Sequence, residues 1–86
     1  MGMLKGYDLK KGYRKLQIGM PLADVLKLFG QPDSVKVREN IKILGWWSRE
    51  FQGWARGGSI DRRVTVEIQD DKVVGYDGEN IDASIL

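Results

Sequence analysis

The segment Leu16-Gln17-Ile18-Gly19-Met20-Pro21-Leu22-Ala23-Asp24-Val25-Leu26-Lys27-Leu28-Phe29-Gly30-Gln31-Pro32 spells a short helix whose start, buried face and stop are all legible. Pro21 suits the first helical position, because its missing N–H is one that a helix start leaves unpaired anyway. Leu22, Val25, Leu26 and Phe29 fall on one stripe at helical spacing, and Asp24 favours the positive end of the helix dipole. Gly30 then adopts the positive φ of a terminating residue, and Pro32 cannot continue the ladder. Ahead of this helix, Gly19 allows a left-handed residue. A first helix, capped by Asp8 and running to about Gln17 or Ile18, carries Leu9, Tyr13 and Leu16 on one stripe and a basic opposite face. Gly12 inside it costs up to ~1 kcal/mol relative to Ala, so packing rather than propensity holds the helix.

After Pro32 the period changes from helical to strand-like. Ile41-x-Ile43 leads into Trp46-Trp47, and Arg63-Val64-Thr65-Val66-Glu67-Ile68-Gln69 alternates cleanly. Another strand runs from Lys72 to about Asp77, joined through a tight Asp70-Asp71 turn, since Asp tolerates left-handed backbone. Residues 34–38 add a short edge strand before Glu39-Asn40, and residues 52–60 read as the loop between the two main strands. The expected fold is α+β: two N-terminal helices packed on one face of a three- to four-stranded antiparallel sheet. With 86 residues the chain makes one domain, placed at residues 1–78, and residues 79–86 read as a frayed tail from which Ile81, Ile85 and Leu86 can still dock. The expected core is Leu16, Leu22, Val25, Leu26, Phe29, Ile43, Trp47, Val64, Val66 and Ile68.

Gly19-Met20, then Val25, then Gly30-x-Pro32, is a spacing that resembles the BamE-like (SmpA/OmlA) domains of bacterial envelope lipoproteins. The aromatic pair Trp46-Trp47, Val64-x-Val66-x-Ile68 and Lys72-Val73 extend the resemblance from about Leu16 to Asp77. Pro21 stands where these domains usually carry a capping Ser or Thr, and Asp71 replaces a Gly common in the last turn. The resemblance implies the same two-layer sandwich and a non-catalytic accessory role in outer-membrane protein assembly. It places the chain at the cell envelope, on the periplasmic side; a native start at Met1 or Met3 places it in the cytoplasm instead. Contact with anionic lipid, also implied by the family, falls here to the basic first helix.

Composition removes several classes of chemistry. The chain has no cysteine and no histidine, which excludes disulfides, thiolate nucleophiles and thiolate or imidazole metal sites. It also removes the commonest general acid–base near neutral pH. The acids Asp70, Asp71, Asp77, Glu79 and Asp82 lack the spacing of a calcium loop and read as a solvated turn and tail. Gly57-Gly58-Ser59 lacks the Lys and the strand–loop–helix order of a phosphate loop. No catalytic residue, metal, cofactor or small-molecule substrate is therefore expected. The net charge of +2 hides an asymmetry: residues 1–30 sum to +4 and residues 64–86 to −5.

Trp46 and Trp47 are adjacent on a strand, so only one can enter the core. Ile41, Ile43, Trp47 and Phe51 share one parity, and assigning them to the helix side leaves Leu44 and Trp46 outward. With Asp70-Asp71 as a two-residue turn, Val74 and Tyr76 also point outward beside Thr65 and Glu67. Leu44, Trp46, Val74 and Tyr76 then form an apolar strip with Arg63 and Trp54 at its rim, expected to bind a protein partner or a second copy of the chain. The competing assignment is a structural surface covered by the tail. A different class of function, nucleic-acid binding, follows from Arg49, Phe51, Trp54, Arg56, Arg62 and Arg63, whose cations and rings suit phosphates and bases. Glu50 and Asp61 interrupt that run, the net charge is small, and no RNA-recognition signature is present.

Overall fold

A computed structural model of the chain describes residues 9–51 and 59–81. Two helices, α1 (Leu9–Lys15) and α2 (Leu22–Phe29), precede four strands: β1 (Ser34–Arg38), β2 (Ile41–Phe51), β3 (Ser59–Gln69) and β4 (Lys72–Glu79). The strands form one antiparallel meander in the order β1-β2-β3-β4, with the helices on one face. This is the expected α+β arrangement, and the edge strand at residues 34–38 is present.

The stop and charge signals of the second helix act where the pattern places them, and its start falls one residue later than expected. Pro21 is the N-cap of α2, one residue before the helix, and Asp24 lies in its first turn. Gly30 ends α2 at φ 77° and ψ −160°, a region open essentially to glycine, and its N–H donates to Leu26 O over 2.8 Å. Gly19 has φ 90°. The first helix is shorter than expected, stopping at Lys15, where the Leu16 N–H turns back to Tyr13 O. Asp8, its expected cap, lies outside the described residues. Gly12 has a use that propensity does not reveal: a Cβ there would come within 2.6 Å of Phe29 Cε1, so the missing side chain is what lets α1 close on α2.

Asp70 and Asp71 both have positive φ, 54° and 61°, making the two-residue turn whose twist suits a hairpin. Gln69 pairs with Lys72 and Ile68 with Val73, as the turn predicts. The link between the helices then closes the outer edge of β4: Gly19 N–H donates to Val73 O, Val73 N–H to Met20 O and Leu22 N–H to Asp71 O, all within 2.9 Å.

The core between the layers holds Leu9, Leu16, Val25, Phe29, Leu44, Trp46, Val64, Val66, Ile68, Val73 and Ile81. Leu22 and Leu26 are only partly buried against it. Ile43 and Trp47 were expected here and are not: Trp47 is 41% exposed, whereas Trp46 is 1% exposed. The reason is register. Leu44 stands opposite Val66 and Trp46 opposite Val64, so β2 must present that parity to the helices once β3 buries Val64 and Val66. Residue 79 belongs to β4 and Ile81 is buried, so the chain is held past the point where a frayed tail was expected to begin. The buried Arg62 secures it, its Nη1 donating to Asn80 O over 2.6 Å and to Ile81 O over 3.1 Å.

Candidate functional site

Residues directly opposite in an antiparallel sheet share a face, so the pairing maps the side away from the helices row by row. Ser34, Gly45, Thr65 and Asp77 make one row across all four strands. On one side of it runs Lys36–Ile43–Glu67–Gly75, and on the other Trp47–Arg63–Glu79. Small side chains in the middle row leave an open groove of ≈ 380 Å³ between Ile43 and Lys36 on one wall and Trp47 and Arg63 on the other. Gly45 sets its floor: a Cβ there would approach Ser34 Oγ to 2.7 Å.

Trp47 is held in place by its surroundings. Its backbone N–H donates to Asp33 Oδ2 over 2.8 Å, just before β1 begins. The Arg49 guanidinium lies 5.5 Å from the indole centroid and pairs through Nε with Asp61 Oδ1 at 2.8 Å. That hydrogen bond is the main reason the Asp61 carboxyl is held below its ordinary range and Arg49 above its own. Arg63 Nε lies 3.9 Å from Glu79 Oε1, with both side chains mostly exposed.

The structure redistributes the expected site residues. Leu44 and Trp46 are core, Trp46 stacking on Phe29 at 4.8 Å between centroids. Tyr76 is on the helix side, edge-on to Tyr13 at 5.6 Å and 38% exposed. A register shift between Glu67 and Ile68 causes this: β4 carries one extra residue, Val74, and every later side chain changes face. Val74 remains exposed, Arg63 lies on the open face, and Trp54 lies outside the described residues. Leu44, Trp46, Val74 and Tyr76 therefore form no strip on the open face. The residues actually gathered are Trp47, Ile43, Gly45, Thr65, Lys36 and Arg63. A glycine inside a strand pattern signals a close approach or a gap, and Gly45 was the available clue.

The arginine-rich segment is also divided. Arg62 points inward and is buried, while Arg49 and Arg63 face acids of the same sheet. Among the described residues no cluster of three or more acids is placed to hold a metal ion, and no helix is long and apolar enough to cross a membrane. No protein-family model matches the chain, and no curated protein matches it either.

Proposed function

We propose that this domain is a non-catalytic protein-interaction module that binds its partner through the open sheet face centred on Gly45. The observation that carries the reading is Trp47, a tryptophan 41% exposed on a sheet face that no described element covers. Single exposed apolar residues are ordinary, but here Trp47 and Ile43 flank a groove with a cation on each wall. Tryptophan and arginine are the residues that most often dominate protein contacts. An open groove on a flat sheet suits another macromolecule's surface better than an enclosed small molecule. The envelope-assembly setting implied by the BamE-like resemblance rests on Gly19-Met20, Val25 and Gly30-x-Pro32, which build the helix layer and leave this face free.

Site-specific photocrosslinking tests the reading. A photoreactive residue at Lys36, on the open face, is expected to give discrete protein adducts in cells, and one at Lys27, exposed on α2, to give few. Equal yields from both faces, or adducts removed by nuclease, contradict it.

A further inference from the structure

Across β1, β2 and β3 the open face is antisymmetric in charge about its middle row. One row away on one side stand Lys36, Ile43, Glu67 and Gly75; one row away on the other stand Trp47, Arg63 and Glu79, with the Asp33 carboxylate reaching the Trp47 N–H from the residue before β1. On β1, β2 and β3 in turn, cation faces anion, apolar faces apolar, and anion faces cation; on β4 Glu79 faces Gly75. Such a surface is complementary to a copy of itself turned end over end, which is the requirement for an isologous two-fold interface.

The geometry points to a second copy of this chain as the occupant of the face, stacked sheet on sheet about a two-fold axis that runs across the strands along Ser34, Gly45 and Thr65. This rests on the reading of the open face as a protein-binding surface and names its partner. In that stack Trp47 of each copy packs on Ile43 of the other, Arg63 meets Glu67, and Lys36 meets Asp33. Gly45 lies on the axis, where an absent side chain lets the two sheets approach to the ~10 Å of a sandwich. The other in-plane axis, parallel to the strands, exchanges β1 with β4 and sets Arg38 against Lys72 and Asp33 against Glu79, like against like. Charge alone therefore selects the first axis. Its unfavourable contacts lie at the periphery: Asp77, which ends the axial row and faces its own copy, and Glu79, which comes over Gly75, where the Glu67 carboxylate of the other copy leans.

Sedimentation velocity over a concentration series is the test. The wild type is expected to show a reversible monomer–dimer equilibrium that weakens with added salt. Glu67→Arg and Arg63→Glu are each expected to weaken it by roughly tenfold or more, because each places like charges in contact twice. Mixing the two variants restores both contacts as opposite pairs, so a heterodimer at least as tight as the wild-type dimer is expected. Asp77→Asn is expected to tighten the dimer. A wild type that stays monomeric up to about 1 mM, or a mixture of folded variants that fails to associate, overturns the inference. The salt series needs no variant, so a variant that fails to fold does not rescue it. A monomeric wild type that still gives crosslinks from Lys36 to another protein removes the second copy and leaves the open-face reading standing; no crosslinks at all remove both.

Discussion

The indole N–H of Trp46 donates to the carbonyl oxygen of Gly30 over 3.1 Å, tying the middle of β2 to the last residue of the α2 turn. A helix end leaves carbonyls unpaired, and Gly30 is partly buried, so this bond satisfies an acceptor that water reaches poorly. The same ring stacks on Phe29, which makes Trp46 the point where helix layer and sheet are joined. Trp46→Phe keeps most of the buried area and loses the bond, and is expected to cost about 1–3 kcal/mol in denaturant unfolding. Trp46→Ala is expected to cost on the order of 3–5 kcal/mol, a large share of a small domain's total stability. A Trp46→Phe midpoint equal to that of the wild type would show that the bond contributes nothing.

Gly30 has φ 77° and ψ −160°, which an L side chain adopts only under strain. Gly30→Ala is therefore expected to destabilise by about 1–3 kcal/mol, although alanine ordinarily restrains the unfolded chain and stabilises. A neutral or stabilising result would place the end of α2 elsewhere.

At Gly12 two effects oppose. Alanine gains up to ~1 kcal/mol of helix propensity, but its Cβ would meet Phe29 Cε1 at 2.6 Å in a packed core, and such overpacking costs typically about 1–3 kcal/mol. Gly12→Ala is expected to be a net loss in thermal unfolding. A gain would show that α1 can slide away from Phe29 at little cost.

The helix layer was legible because its signals are local: Pro21, Asp24, Gly30 and the Val25–Phe29 stripe act within two turns. The Asp70-Asp71 hairpin was legible for the same reason. The faces of β2 and β4 were not. Along β2 both parities mix apolar and polar residues, Ile43 and Trp47 against Leu44 and Trp46, and the choice is made by Val64 and Val66 across the ladder. Tyr76 was misplaced because the extra residue Val74 follows a correctly paired turn, and nothing within β4 announces a bulge. Arg62 reads as a surface cation in sequence, yet its partners are the carbonyls of Asn80 and Ile81, 18 and 19 residues away.

The pair Arg49–Asp61 gives a pH signature. The hydrogen bond from Arg49 lowers the Asp61 carboxyl below its ordinary 3.8, desolvation opposes it, and the charges of Arg49 and Arg63 add to the lowering. A group with a depressed folded-state pKa stabilises the fold above its unfolded value and loses that contribution as pH falls through the folded one. Both side chains are about half exposed, so the stability effect is small and screened by salt. By NMR titration the Asp61 midpoint is expected below 3.8 and Arg49→Gln is expected to raise it back. An unmoved midpoint would show the ion pair is not formed in solution.

The division of labour between the two adjacent tryptophans, Trp46 for the core and Trp47 for the open face, is tested most directly by the unfolding free energy of Trp47→Ala. Measured in denaturant at a concentration low enough to keep the chain monomeric, the substitution is expected to cost about 1–2 kcal/mol, for the lost packing of a partly covered ring and of the Arg49 contact. A loss of about 3–5 kcal/mol, equal to that expected of Trp46→Ala, would make Trp47 a core residue and remove the binding surface with it.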